Sequence, residues 1–244
     1  GENGVVCIGG SAVDGAFLGD VAVFDLQALQ WRAPHKLPTE FGPGRNFATS
    51  CVWEQRVFVF GGKANGYTSD VLCSRDGAAF EKVRTTGSGP TGRFGHAAAR
   101  VGGQWYVHGG YDTGAMACAD MYRLDLQRAV WEKVVPVSKK RPEARMHHAM
   151  VAWDGKLWVF GGKLEGGAAA DDVWAFDIAT AEWGEVTHAR KKAAWPEARW
   201  GHSATMVATQ SRPSMVVFGG CAKDREFGDV WAFEPKTEEW LRWE

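Results

Sequence analysis

Five copies of one pattern predict an all-β fold, a β-propeller in which four-stranded sheets stack radially as blades. A short apolar run ending in Gly-Gly recurs as VVCIGG, VFVFGG, WYVHGG, LWVFGG and MVVFGG, closing at Gly10, Gly62, Gly110, Gly162 and Gly220. The intervals are 52, 48, 52 and 58 residues. After each pair a polar loop leads to an Asp that opens a second apolar segment, at Asp20, Asp70, Asp120, Asp172 and Asp229. An aromatic residue follows at near-constant distance, namely Trp31, Phe80, Trp131, Trp183 and Trp240. Composition agrees: 31 glycines and 13 tryptophans in 244 residues suit short strands joined by tight turns.

Before four of the five Gly-Gly pairs lies a Pro and Arg stretch followed by small residues: PGRNFATSCVW, PTGRFGHAAARV, PEARMHHAMVAW and PEARWGHSATMV. Each unit therefore holds four strands: one after the Arg, one ending in Gly-Gly, one after the Asp, and one carrying the Trp or Phe. The expected strands lie near 4–9, 20–25, 47–53, 56–61, 70–74, 96–101, 104–109, 120–125, 148–153, 156–161, 172–177, 202–207, 214–219 and 229–234, plus a short fourth strand around each aromatic. Segments this short, bounded by Gly, Pro and Asp, are strands rather than helices. One such sheet cannot bury both faces, whereas radial stacking does. The Gly-Gly pair removes side chains where a neighbouring backbone comes close. The whole chain, 1–244, reads as one domain with blades at about 4–34, 45–86, 93–136, 145–188 and 199–244.

These Gly-Gly pairs, the Trp about 20 residues downstream and the period near 50 resemble the kelch repeat over essentially the whole chain. The P-x-x-R-x-x-H variant (Arg93/His96, Arg145/His148, Arg199/His202) is similar to kelch proteins of the host-cell-factor, acyl-CoA-binding and cell-polarity type. Repeat two departs from it, with Ala48 for His, Phe80 for Trp, and Ser74 for the acidic residue that ends the third strand elsewhere. The first repeat begins inside its second strand. Either a sixth blade lies outside this sequence, or a five-bladed ring contains one three-stranded blade.

Net charge is −1, which argues against a polycation built for nucleic acid, and no run of 18 apolar residues exists to span a membrane. The opening GENGVVCIGG lacks the pattern of a signal peptide. Five cysteines (Cys7, Cys51, Cys73, Cys118, Cys221), odd in number and without metal spacing, argue for a reducing, cytoplasmic setting. The resemblance to cell-polarity kelch proteins admits a cytoskeletal association.

Up-and-down topology places the loops between second and third strands on one face with the inter-blade linkers. Segments 11–19, 32–45, 63–69, 84–93, 111–119, 136–145, 163–170, 187–199 and 221–228 on that face hold 17 basic and 8 acidic residues, a balance of +9 against −10 elsewhere. The candidate partner-binding residues are Arg45, Arg93, Arg145, Arg199, Lys139, Lys140, Arg141, Arg190, Lys191 and Lys192. The four arginines are expected near the channel mouth, and the two basic triplets at the rim. Because the arginines recur with the repeat, a structural role hydrogen-bonding loop carbonyls is the competing reading. In kelch proteins that bind acidic peptides, arginines at this position line the binding face. The repeated Asp residues read as turn residues accepting backbone N–H groups. The Trp series reads as inter-blade core. The His series is expected near the channel, and without accompanying Cys or carboxylate it does not read as a metal site.

Regular repeats, polarised charge and dissimilar loops (KANGYTS, YDTGAMACA, KLEGGAAAD, CAKDREFG) point to a non-catalytic scaffold that binds a protein, with no cofactor. The expected partner is a protein carrying an acidic segment, or a larger complex, rather than a small-molecule substrate. A metal-dependent or carbohydrate-modifying enzyme is the alternative, because kelch-like propellers include a copper-radical oxidase, iron-dependent nitrile specifiers and a sugar epimerase. The tyrosines Tyr67, Tyr106, Tyr111 and Tyr122 lack the copper-site constellation, and Glu165 and Glu226 lack the iron-motif partners. No phosphate loop or Ser-His-Asp elbow is present. Nucleic-acid binding on the basic face is a third reading, with Trp195 and Trp200 flanking one basic loop.

Overall fold

The computed structural model describes residues 4–37, 44–186, 194–207 and 212–243. Blade two is a consecutive antiparallel sheet of Thr49–Trp53, Arg56–Phe60, Val71–Ser74 and Glu81–Val83. Blade three repeats it with Ala97–Val101, Gln104–His108, Met121–Asp125 and Val130–Val134, and blade five with Ser203–Val207, Ser214–Phe218, Val230–Glu234 and Glu239–Trp243. Blade four has Ala149–Trp153, Lys156–Leu164, Ala169–Asp177 and Glu182–Glu185. Its middle strands run beyond the expected 156–161 and 172–177, continuing into the loop past a register shift between Phe160 and Gly162. Blade one has Gly4–Ile8, Asp20–Asp25 and Gln30–Trp31, and no strand flanks Gly4–Ile8 on its inner side among the described residues. The architecture is thus a five-bladed propeller arrangement of all-β repeats.

Local chemistry sets the turns. Asp154-Gly155, at φ 48° and 71°, joins the first two strands of blade four with the left-handed pair that a two-residue hairpin needs. In blades one, three and four the carboxylate ending the third strand caps the next turn: Asp25 accepts from the Gln27 and Ala28 N–H groups, Asp125 from Gln127 and Arg128, and Asp177 from Ala179 and Thr180. In blade two the departure at Ser74 is compensated. Asp76 accepts from Ala78 and Ala79, and Ser74 Oγ accepts from the Gly77 N–H.

The blades meet through a repeated seam. The first strands of blades two to five contact one another in order and therefore line the axis. The fourth-strand Trp of each blade packs on the residue before Gly-Gly in the preceding blade: Trp131 on Phe60 at 5.1 Å, Trp183 on His108 at 5.3 Å and Trp240 on Phe160 at 4.8 Å between ring centroids. The repeat histidines pack on those same residues, His96 on Phe60, His148 on His108 and His202 on Phe160, at 5.0–5.1 Å. The Gly-Gly pairs make this approach possible. A Cβ on Gly109 would lie 2.7 Å from the Arg145 carbonyl oxygen of the next blade, and one on Gly162 would lie 2.7 Å from His148 Cβ. The second glycine's N–H donates across the seam, from Gly62 to the Arg93 carbonyl, Gly110 to Arg145 and Gly162 to Arg199, at 2.8–2.9 Å.

Candidate functional site: the channel mouth

The four repeat arginines are not at an open surface. Arg45, Arg93, Arg145 and Arg199 are 0–1% exposed. Each guanidinium turns into its own blade and grips the Asp that opens the third strand. Arg145 donates to Asp172 through Nη1 (2.6 Å) and Nη2 (2.8 Å), and Arg199 to Asp229 at 2.6 and 3.0 Å. Arg93 grips Asp120 and Arg45 grips Asp70 in the same forked way. Nη1 also donates to the carbonyl of the first glycine, Gly61, Gly109, Gly161 or Gly219. The competing structural reading of the arginines is therefore what the geometry supports, with the carbonyl in the same blade rather than an adjacent one. The Asp residues are ion-pair partners rather than turn residues. A planar fork matching a carboxylate suits Arg and no other cation. Hydrogen bonding from Arg199 holds the Asp229 carboxyl down to about 2. Burial opposes the charge on Asp120 and Asp172, yet Arg93 and Arg145 outweigh it and both carboxyls stay below the usual range.

This pairing also corrects the charge count. Four of the basic residues assigned to the linker face are neutralised by four aspartates counted elsewhere. Setting the pairs aside, the face falls from +9 to +5 and the remainder from −10 to −6.

The two residues after each Arg build the mouth of the channel. The first pairs with the residue after Gly-Gly: Asn46 with Lys63, Phe94 with Tyr111, Met146 with Lys163 and Trp200 with Cys221. The second is Phe47, Gly95, His147 or Gly201, all left-handed at φ 54–69°. These form a chain of inter-blade hydrogen bonds, from Gly95 N–H to the Phe47 carbonyl, His147 to Gly95 and Gly201 to His147, at 2.6–3.1 Å. Glycine in blade three leaves room for the His147 ring of blade four. A Cβ on Gly95 would lie 2.9 Å from the His147 ring. Phe47 and His147 meet edge-on at 4.7 Å, and Phe94 contacts both at 5.9 Å. Tyr67, Tyr111 and Trp200 continue the cluster, with Lys63 Nζ 5.7 Å from the Phe94 ring centre and Lys163 Nζ 5.3 Å from that of Trp200. Phe47 is 47% exposed and the other rings are half-buried. Burial, helped by Lys163, pushes the His147 pKa below its ordinary value, so the ring is neutral at pH 7.

The rim triplet Lys139, Lys140 and Arg141 is exposed, with Lys140 paired to Glu185 and lying 5.7 Å from the centre of Trp174. The second triplet, Arg190, Lys191 and Lys192, lies outside the described residues. Below the mouth the histidines are buried. His96 Nε2 is 2.7 Å from Thr49 Oγ1, and His108 Nδ1 is 3.0 Å from His148 Nε2, so one ring donates and the other accepts. Among the described residues no group of three or more His, Cys, Asp or Glu could hold a metal ion. Of the mouth aromatics, sequence reasoning named Trp200 as the flank of a basic loop and Tyr67 and Tyr111 only in weighing a copper site, and it did not bring the rings together as a cluster. The available signal was that the two positions after a constant Arg read Asn-Phe, Phe-Gly, Met-His and Trp-Gly, varying most where the repeat is otherwise strict.

A fork-clamped Arg and Asp in blades two to five, a Gly-Gly seam and an inter-blade Trp define a propeller of kelch repeats. The chain belongs to that family: it matches the KLHDC2/KLHL20/DRC7 Kelch-repeats domain over residues 1–136 and 76–244. It is 29% identical to rat (Rattus norvegicus) Kelch domain-containing protein 10 over 76% of this chain and 46% of that protein. It is 26% identical to rat Kelch domain-containing protein 3 over 91% of this chain and 62% of that protein. It is also 28% identical to Tip elongation aberrant protein 1 of Schizosaccharomyces pombe over 75% of this chain and 16% of that protein. The chain thus spans less than half the length of Kelch domain-containing protein 10. Kelch propellers typically bind proteins and are generally non-catalytic. Among the described residues no helix is long and apolar enough to cross a membrane.

Proposed function

We propose that this propeller is a non-catalytic protein-binding module whose linker face takes an acidic segment of a partner, centred on the channel mouth. The observation that carries this reading is the mouth itself. Half-exposed rings of Phe47, Phe94, His147 and Trp200 sit beside a hydrogen-bonded backbone chain that crosses blades two to five, with Lys63 and Lys163 over two of them. Rigid aromatics offer contact area at low entropic cost, and flanking cations orient an acidic chain. Lys139, Lys140 and Arg141, with Arg190, Lys191 and Lys192 by sequence, supply long-range attraction at the rim. The buried arginines serve by fixing the loops that present this surface. Five free cysteines agree with a cytoplasmic, reducing setting for such a module.

The test is selection from a random peptide display library on the wild-type chain, followed by binding kinetics of selected peptides at low and high salt. Peptides enriched in Asp and Glu are expected. Phe47→Gly and His147→Gly should raise the dissociation rate, while Lys139→Ser/Lys140→Ser/Arg141→Ser should slow association and flatten its salt dependence. Selected peptides without acidic enrichment, or indifferent to all these variants, would remove the basic, aromatic face from the mechanism.

A further inference from the structure

The Arg and Asp clamp recurs in every blade from two to five, whereas the side chains at the channel mouth recur in every second one. The residue after Gly-Gly is Lys63 in blade two and Lys163 in blade four, but Tyr111 and Cys221 in blades three and five. The left-handed residue is Phe47 and His147 in blades two and four, but Gly95 and Gly201 in blades three and five. The residue after the Arg alternates in the opposite phase, with Phe94 and Trp200 in blades three and five against Asn46 and Met146 in blades two and four. Two copies of one arrangement result. In the first, Lys63 Nζ lies 5.7 Å from the centre of Phe94, a ring of the next blade, and Phe47 lies 5.9 Å from that ring. In the second, Lys163 Nζ lies 5.3 Å from the centre of Trp200, and His147 lies 5.8 Å from it. The copies adjoin, since His147 also contacts Phe47 at 4.7 Å and Phe94 at 5.9 Å. Both lysines are half-buried, and among the described residues neither has a carboxylate partner, unlike Lys36 on Asp20 and Lys140 on Glu185. A partly desolvated ammonium resting on a ring face gains most from an anion brought by a ligand.

Resting on the reading of the mouth as a site for an acidic segment, we infer that it holds two equivalent subsites, which take two separate carboxylates of one extended, internal segment of a partner protein, one on Lys63 and one on Lys163. Each lysine is held over a different ring in a different blade, so each calls for its own anion. The rings between them set the rest of the segment. Phe94, His147 and Trp200 follow one another at 5.9 and 5.8 Å. Side chains on one face of an extended chain recur about every 6.6 Å, so a segment laid along these rings sets apolar or aromatic side chains on them at every second residue. The path from Lys63 Nζ to Lys163 Nζ over the three rings has four steps, none longer than 5.9 Å. At about 3.3 Å per residue, the two acidic residues therefore lie no more than about seven residues apart.

Peptide affinities measured on the wild-type protein and on Lys63→Met and Lys163→Met, which keep an apolar stem over the ring, test this. The probe is the tightest peptide from the display selection, acetylated and amidated so that only side chains carry charge, with each Asp or Glu replaced in turn by its amide. Two acids within about seven residues of each other are expected to matter. Replacing the first should weaken binding about fivefold or more to wild type and to Lys163→Met, yet change binding to Lys63→Met by less than about twofold, and the second acid should show the reverse pattern. Each variant thus reports through the subsite it retains that the fold is intact. A single acid coupled to both lysines, two acids coupled to one lysine, or no coupling to either would overturn the inference and leave an acidic partner in place. A selection without acidic enrichment would overturn both readings.

Discussion

Replacing Arg145 by Met tests whether the repeat arginines are internal clamps. The substitution keeps an unbranched apolar stem and removes four hydrogen bonds: to Asp172 at 2.6 and 2.8 Å, to the Gly161 carbonyl at 2.9 Å and to the Glu143 carbonyl at 3.0 Å. Asp172 is then left with the Trp174 indole N–H at 2.7 Å as its side-chain donor. Removing one partner of a buried ion pair costs about 3–5 kcal/mol, mostly the penalty on the stranded charge. The Asp172 side chain is 24% exposed, so water recovers part of its hydration and the lower end, about 3 kcal/mol, is expected. Against a total stability of about 5–15 kcal/mol that is a large loss. Urea denaturation of wild type, Arg145→Met, Asp172→Asn and the double variant measures it. The double variant should fall well short of the sum of the singles, because both remove the same contact. Arg145→Lys keeps the charge without the fork and should recover only part of the loss. A change within about 0.5 kcal/mol for Arg145→Met, the range of ordinary surface substitutions, would refute the clamp and return Arg145 to the list of partner-facing residues.

Trp183→Ala removes a ring packed on His108, Phe176 and Trp174, and should cost about 3–5 kcal/mol by denaturant melts. Burial pushes His96 and His108 down to about 3 and His202 down to about 4. These rings are neutral in the fold, so the unfolded chain takes up protons first. Stability should fall from about pH 6.5 towards 4, by up to about tenfold in the folding equilibrium per pH unit per histidine. His202→Gln should flatten that dependence. Asp229 acts further down: its folded pKa is depressed to about 2, so its contribution is full above its unfolded value and lost as pH falls from about 4 towards 2. Asp229→Asn should remove that acid limb.

The periodic signals were legible because they have single physical causes. Gly-Gly marks where two backbones meet, and the Trp series marks where blades pack. Strand positions read from these signals agree with the structure to within about a residue or two outside blade four. The arginines were harder to place. Sequence shows that Arg45, Arg93, Arg145 and Arg199 recur, but recurrence alone does not separate a clamp from a binding surface. What separates them is the Asp 25 to 30 residues downstream, and pairing across that interval needs the third strand to fold back beside the first. A count of formal charge by segment fails for the same reason, because it assigns the two halves of one buried pair to opposite faces. The mouth aromatics were invisible as a cluster, since Phe47, Phe94, His147 and Trp200 come from four blades and meet only through the ring.

The backbone at Phe47 and His147 bears on why the mouth reads as a candidate binding surface rather than a by-product of blade packing. Gly95 and Gly201 occupy the same left-handed position in the neighbouring blades, so the hydrogen-bonded chain needs no side chain there. Holding a residue with a Cβ at φ 56° or 54° costs about 1–2 kcal/mol each relative to the right-handed region. Part of that is offset by the 4.7 Å contact between the two rings, yet Phe47 still leaves nearly half of its surface in water. A stability-driven sequence would place glycine at all four positions and bury the apolar surface elsewhere. Two strained positions that each display a partly exposed ring, bordered by Lys63 and Lys163, support the proposed binding surface.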